Sequence, residues 1–411
     1  MSRPEYRRNV RLWVAGTGIS VAGDAALSVA LSVWVKELTG SNGQAGLAFL
    51  AFLAPRLLTP FTAVLADRLR RRPLVVVLNL LLAAWVSLAL LVDGPAGVPL
   101  LYLVLFGVGL GTGLHHAAGT ALLTRLVPAE RLGATNAVLR TAQEVGLLVA
   151  PAVGTALYVA FGARAVAALD AATFVLCAAL VAAVRVHEPR PEPRRGSRWA
   201  ELTAGLVHVA GTAGIRRVVL AMGGALLVFG FFESIVFAVV DEGLHRPAAF
   251  LGVLATVKGA GSVAGGLLAV RIVRGLPAGG EARLTVLGLG LLGLGSAVML
   301  LPAVPAVLAG AAVVGLGIPM AIVGLFTVAQ QHTPPHLQGR VAGAAGTLVT
   351  APQVASVAVG AVLIGWVDFR VLLAVVAATV LLAAGCLAAR TRTGRAADTG
   401  VLPEDLPTKV S

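Results

Sequence analysis

Charge is what this chain has least of. Asp, Glu, Lys and Arg together make up 12% of its 411 residues, about half the share with which a soluble domain covers its surface. A water-exposed globule is excluded on that ground. The 58% hydrophobic content and mean hydropathy of +0.90 make lipid tails the main solvent. Cysteine is nearly missing: Cys177 and Cys386 both fall inside apolar stretches, which excludes a disulfide framework and a thiolate metal site. No Gly-x-x-x-x-Gly-Lys-Ser/Thr phosphate loop occurs, and no polar stretch is long enough for a nucleotide-binding domain, so chemistry driven directly by ATP is not expected. Metal-ligand clusters and a Ser/His/Asp hydrolase arrangement are also lacking. The sequence therefore predicts neither an enzyme nor a cofactor.

What the chain has is long hydrophobic runs. Twelve are expected, at about 11–35, 43–66, 73–92, 98–124, 133–161, 165–184, 216–240, 248–271, 284–301, 304–328, 341–366 and 370–389. Each is long enough to cross roughly 30 Å of hydrocarbon at about 1.5 Å per residue. They form two sets of six. Shifting Pro128–Ala183 by 206 residues onto Pro334–Ala389 matches 16 of 56 positions, including Pro128/Pro334, Gly133/Gly339, Gly154/Gly360 and Arg164/Arg370. Matched Pro, Gly and Arg at loop-to-helix junctions are harder to obtain by chance than matched alanines. The expected fold is an all-α membrane protein, two pseudo-symmetric six-helix bundles at 1–184 and 215–389. A Pro- and Arg-rich connector at 185–214 joins them, and a disordered tail fills 390–411. Such duplication underlies many secondary transporters. The first stretch is too long for a signal peptide and contains Asp24, so it reads as a retained span.

The net charge of +13 is not a nucleic-acid footprint, because of where it sits. With the N-terminus inside, 25 Lys and Arg fall in cytoplasmic segments, four outside (Lys36, Arg164, Arg246, Arg370) and three within spans (Arg56, Arg140, Lys258). That asymmetry is the positive-inside rule. It predicts a multi-pass protein of the cell membrane with both termini cytoplasmic, its basic loops touching anionic lipid headgroups.

The plan of two six-span halves resembles the major facilitator superfamily over essentially the whole chain. After the second span, Ala63-Val-Leu-Ala-Asp67-Arg68-Leu-Arg70-Arg71-Arg72 is similar to the signature Gly-x-x-x-Asp-Arg/Lys-x-Gly-Arg/Lys-Arg/Lys. Asp67, Arg68, Arg71 and Arg72 match, while Ala63 and Arg70 replace the glycines. Asp67 suits a helix N-terminus and the arginines suit helix C-termini, carboxylates or lipid phosphates. The resemblance implies a cytoplasmic gating latch. In the fifth span, Gly146, Pro151 and Gly154 match the antiporter signature Gly-x-x-x-Gly-Pro-x-x-Gly-Gly, with Ala150 and Thr155 departing from it. Proline bends a helix and small residues permit close contact, which makes a hinge-like seam. The resemblance to exporters of the macrolide-efflux and enterobactin-exporter branch extends to Arg11-Leu-Trp, Ile19-Ser-Val-Ala-Gly23-Asp24 and Val127-Pro-Ala-Glu-Arg-Leu. It implies export of a small molecule against proton entry, with spans 1, 4, 7 and 10 lining the path.

Charges inside hydrocarbon cost several kcal/mol, about 3 even on the mild insertion scale, and mark function by default. Asp24 in span 1 and Arg56 in span 2 fall near the midplane and are expected to pair. Glu233 in span 7 and Lys258 in span 8 repeat the arrangement at non-equivalent positions. A carboxylate whose water access and cationic partner change through a cycle can load and release a proton. Asp24 is the first candidate for that role and Glu233 the second; a static bridge that fixes helix packing is the alternative for each. Arg140 and Glu144, spaced i, i+4 in span 5, are expected to pair locally. Of His115 and His116, adjacent on span 4, only one can face a central cavity; His115 is the candidate, against a hydrogen-bonded interfacial role. Asp170 is expected near headgroups, and Phe229, Phe231, Phe232 and Phe237 along an amphipathic cavity. The expected partners are a small-molecule substrate, protons and membrane lipids, with no nucleic acid, and the protein is expected to act as a monomer. An importer or uniporter on the same fold, and a receptor or scaffold without transport, stay open as alternatives.

Overall fold

The computed structural model describes residues 3–58, 69–127, 153–186, 198–275, 281–334 and 337–398, with separate positions 135, 139, 142, 143, 146, 149 and 150. Among them there is no strand, and nine helices are long and apolar enough to cross a membrane. Hydrocarbon offers backbone groups no partner, so each such run must satisfy its own hydrogen bonds as a helix. Helices are numbered by the span they occupy. The first half has α1 (Arg3–Thr39), α2 (Asn42–Leu53), α3 (Arg71–Ser87), α4 (Val98–Leu126), α5 (153–161) and α6 (Ala163–Ala182). The second has α7 (Ala213–Gly243), α8 (Phe250–Gly275), α9 (Ala282–Val298), α10 (Val304–Gln331), α11 (Gln338–Leu363) and α12 (Phe369–Asp398). Residues 59–68, which include the end of the expected second span, and most of the expected fifth span lie outside the described residues. Gly40 and Gly162 take positive φ, +67° and +79°, at the turns into α2 and α6, a region side chains rarely enter.

Three local departures from the expected spans have physical causes. Helix α2 tightens into a 3-10 turn over Ala54–Leu58, where Pro55 has no N–H to give the α ladder. The connector contains a helix, Arg198–Gly211, whose Gly205 lies against the Arg340 carbonyl at the start of α11. Helix α12 runs on to Asp398, nine residues past the expected limit of 389.

Small residues set how closely helices approach. In the second half, backbone meets backbone: a Cβ on Gly265 would lie 2.2 Å from the Leu316 carbonyl oxygen, and one on Gly315 1.9 Å from that of Lys258. In the first half Gly109 meets the Phe52 carbonyl in the same way, while other glycines admit large side chains, Trp85 at Gly107, Leu82 at Gly111 and Trp13 at Gly119. Lipid supplies no hydrophobic drive between helices, so this packing holds them together. Gly265→Leu is expected to lower the unfolding temperature in detergent, by an overpacking penalty of about 1–3 kcal/mol. Gly266→Leu, where nothing lies within 4 Å, should leave the melt unchanged.

The bundle has two distinguishable faces. On the connector face, Arg8 donates to the Ala183 carbonyl (2.9 Å), Asn9 to that of Arg185 (2.8 Å) and His208 to that of His332 (3.0 Å). On the opposite face lie the α1–α2 turn, the end of α7 and the loop after it. There the two halves meet. Gly43 abuts the Ala361 carbonyl, Gly46 abuts Ser234, and Gly252 abuts Thr155.

Candidate functional site

A cavity of about 120 Å³ lies between the two halves. Ser28, Val29 and Ser32 of α1 and Phe49 of α2 form one wall; Phe232, Glu233, Phe237, Leu254, Lys258 and Met299 belong to the other. Helix α7 is interrupted here: its α-helical turns stop at Phe229 and resume at Phe232. The interruption sets Glu233 at the start of the second segment and stacks Phe229 on Phe232, with centroids 5.1 Å apart. Phe231 turns away and packs on Gly360 of α11. Helices α1, α7 and α10 line the cavity as the resemblance implies. Helices α2 and α8 and Met299 at the end of α9 join them, and no described residue of α4 does.

The structure brings Glu233 and Lys258 together. Oε1 and Nζ are 3.9 Å apart, with side chains 17% and 32% exposed. That separation is too long for a direct hydrogen bond. The attraction at such a distance is about 4 kcal/mol at an effective dielectric near 20. The pair is therefore coupled electrostatically without a direct hydrogen bond between its members. Asp24 is buried at 7% exposure, one helical turn before Ser28 on the same face of α1. Asp24, Ser28 and Ser32, all buried, make an i, i+4, i+8 polar stripe leading into the cavity. The Arg56 side chain lies outside the described residues, so the expected Asp24–Arg56 pair remains an expectation.

The opposite face is closed by polar contacts between halves. Lys36 Nζ meets Asp241 Oδ2 at 2.6 Å, and Asn42 Nδ2 donates to Glu242 Oε1 at 2.8 Å. Behind them, Tyr158 donates to Glu37, fixing α5 to α1. A π-helical turn, Val239–Gly243, presents both acids. Lys36 is 12% exposed and Asp241 50%, so water reaches the pair from the carboxylate side and screens it in part.

Other expected residues fall elsewhere. His115 is buried away from the cavity: Asn79 donates to its Nδ1 at 3.1 Å and the Trp13 ring stacks on it with centroids 6.0 Å apart. Arg72 donates to the Val181 and Ala182 carbonyls at the C-terminus of α6, where a cation is favoured by the helix dipole. Arg71 sits beside it in the first turn of α3; Asp67 and Arg68 lie outside the described residues, as do Arg140, Glu144 and Pro151. Gly146 and Gly154 of the antiporter-like stretch pack on α1, at Ala22 and Ala26, two small-residue contacts against that helix. Asp170 requires a correction. It is 1% exposed and turned toward Gly23 of α1, about 10 Å into α6, and does not reach headgroups.

Two sets of residues escaped sequence reasoning. Ser28 and Ser32 carry a legible signal, polar residues at helical spacing after a buried acid. The Lys36–Asp241 and Asn42–Glu242 contacts join residues about half a chain apart, and only the scarcity of charge on that side hinted at them.

The family model of the Major Facilitator Superfamily matches residues 13–357. Macrolide efflux protein A of Streptococcus pyogenes is 30% identical over 200 residues, 48% of this chain and 48% of that protein. The chain thus spans about half the length of the curated relatives it matches. A bacterial homologue of the iron transporter ferroportin, in an inward-facing state, superposes with a TM-score of 0.73 at 18% identity, over 95% of this chain and 100% of that one. A bacterial homologue of the human lysosomal transporter Spinster, inward-facing and unoccupied, gives 0.69 at 13% identity, over 96% and 98%. At these identities the likeness carries the fold alone. With most of its length matched by the family model, the chain belongs to the Major Facilitator Superfamily and is a multi-pass membrane transporter, not an enzyme.

Proposed function

We propose that this transporter exports a small amphipathic molecule, of drug, macrolide-like or siderophore type, across the cell membrane by alternating access coupled to proton entry. The observation that carries the reading is the cavity between halves, aromatic and aliphatic in most of its wall, with one loosely held acid–base pair. Its 120 Å³ is below the roughly 300 Å³ that a drug-sized ligand needs. The halves, taken as 1–184 and 215–389, must part on the connector face to admit one. The concentration of Lys and Arg on that face supports a cytoplasmic placement, and on that reading the Lys36–Asp241 latch faces outward. The small-residue contacts at Gly146 and Gly154, and relatives named as efflux proteins, support the outward direction.

Protons enter the scheme through carboxyls. Asp24 and Glu233 sit where water access changes as the halves rock, and the ionised form is favoured only while water or a cation attends it. Asp24→Asn is expected to abolish accumulation driven by a pH gradient while downhill exchange of substrate persists. Undiminished proton-driven transport would remove Asp24 from the mechanism. The function itself is tested by a susceptibility panel of drugs and siderophores on cells lacking or overproducing the protein. Overproduction is expected to raise tolerance to at least one amphipathic compound, which inside-out vesicles then take up. Accumulation only in intact cells would make the protein an importer.

A further inference from the structure

Helix α1 enters the bundle through a cluster of positive charge. Arg3, Arg7, Arg8 and Arg11 precede its apolar run, and Glu5 is the only acid on this helix ahead of Asp24. Arg7, Arg8, Arg11, Leu12 and Ala15 line one groove of about 560 Å³. Their spacing, i, i+1, i+4, i+5 and i+8, puts them on one face of the helix. Other faces are taken: Trp13 packs at Gly119 of α4, Gly16 against Cys177 of α6, and Gly18 against Ala142. Ile19, one turn beyond Ala15, is 37% exposed and extends the groove into the apolar run.

The arginines of the groove are not equivalent. Arg8 reaches across to the Ala183 carbonyl at 2.9 Å, where the negative end of the α6 dipole favours a cation. Arg7 and Arg11 are exposed and have no hydrogen bond or ion pair among the described residues. They stand one turn apart, with Cβ atoms about 6 Å from each other, and like charges at that spacing repel. Each guanidinium is a planar fork of N–H donors that matches phosphate oxygens two at a time. Two such forks on one helix face are close enough to share a single phosphate group. What lies below them decides the rest of the ligand. The wall passes from arginine to Leu12, Ala15 and Ile19, and the adjoining α6 leaves Val175 and Leu176 49% and 45% exposed. Basic side chains above an uncovered apolar face suit the boundary between headgroups and acyl chains.

We infer that this groove binds one anionic phospholipid, its phosphate held between Arg7 and Arg11 and an acyl chain laid over Leu12, Ala15 and Ile19. Charge and the change from basic to apolar along one face select that occupant. A zwitterionic lipid brings its own cation to the arginines, and a soluble phosphate has nothing for the lower wall. Such a site differs from the diffuse attraction of basic loops to headgroups, because it saturates at one lipid and depends on two named side chains. Occupied, it sets an anion between arginines that otherwise repel and secures the start of α1 beside the end of α6, where Arg8 already holds it. The site stands whether transport is inward or outward, and whether or not protons drive it.

Purified full-length protein in a neutral detergent tests it, with phosphatidylglycerol, phosphatidylcholine and glycerol phosphate as probes. Native mass spectrometry is expected to show one phosphatidylglycerol retained at low lipid ratios, and the unfolding temperature to rise with that lipid alone. Arg7→Gln with Arg11→Gln should weaken retention roughly tenfold and abolish the rise. Arg217→Gln with Arg283→Gln removes the same charge from exposed arginines of the second half and should leave both readouts unchanged. Ala15→Glu, one turn after Arg11, keeps every arginine and supplies an internal carboxylate, so it should displace the lipid too. Unimpaired retention in Arg7→Gln with Arg11→Gln or in Ala15→Glu overturns the proposal. Equal retention of phosphatidylcholine, or equal loss in the two arginine pairs, would leave only diffuse attraction and overturn the site. Glycerol phosphate stabilising the protein as well as the lipid does would give the groove to a soluble phosphate compound and overturn the lipid assignment.

Discussion

Joining Lys36→Cys to Asp241→Cys with a short, reducible bifunctional thiol reagent is expected to stop transport, and reduction to restore it. The two positions belong to different halves and their side chains meet at 2.6 Å on the face opposite the connector. Alternating access requires that contact to open once per cycle. Two polar contacts, Lys36–Asp241 and Asn42–Glu242, hold that face, and Lys36→Ala removes only one of them, so it should cost far less than a bridge. A covalent bridge removes the open state altogether, and the flux should fall by at least an order of magnitude in proportion to the bridged fraction. The background needs Cys386→Ser, because that thiol is exposed, whereas Cys177 is buried. Bridged protein transporting at the unbridged rate would mean that the halves do not part at this face.

The second large effect concerns the acid–base pair in the cavity. Glu233→Gln leaves Lys258 partly buried with no opposite charge at 3.9 Å. Breaking a fully buried pair from one side costs about 3–5 kcal/mol; with Lys258 one-third exposed, water recovers part of that. Flux driven by a pH gradient is expected to drop by roughly a hundredfold, an equivalent of about 2.7 kcal/mol in transition-state terms. Glu233→Gln with Lys258→Met removes both charges and should recover the thermal stability of the wild type without recovering the drive. A double variant that transports normally would show that the pair serves packing alone.

The legible part of the fold was what hydrocarbon imposes. Long apolar runs announced helices, and charges such as Asp24, Glu233 and Lys258 stood out because each interrupts such a run. Rotation of a helix about its axis was not legible, and the corrections arise there. Asp170 occupies a position from which sequence alone reads a short path to the headgroups; the face of α6 that carries it turns inward because Gly23 leaves room. His115 follows the same logic. Which face of α4 meets Trp13 and Asn79 depends on glycines that admit large side chains, not on hydrophobic period. The latch was hidden for another reason. Lys36 and Asp241 are 205 residues apart, and a π-helical turn sets the register of the acids, which no local pattern announces. The connector helix, by contrast, had a local signal in the apolar spacing of Leu202, Leu206 and Val209, masked by the Pro- and Arg-rich residues before it.

The most direct test of a cavity that alternates its access and is driven by protons is flux in proteoliposomes under an imposed pH gradient. A compound selected from the susceptibility panel is loaded, and its movement is followed with the gradient in each direction and with none. Movement against its own concentration gradient is predicted when protons flow the other way, reversing with the pH gradient and vanishing when an ionophore collapses it. Movement only down the concentration gradient, at a rate indifferent to pH, would contradict the account.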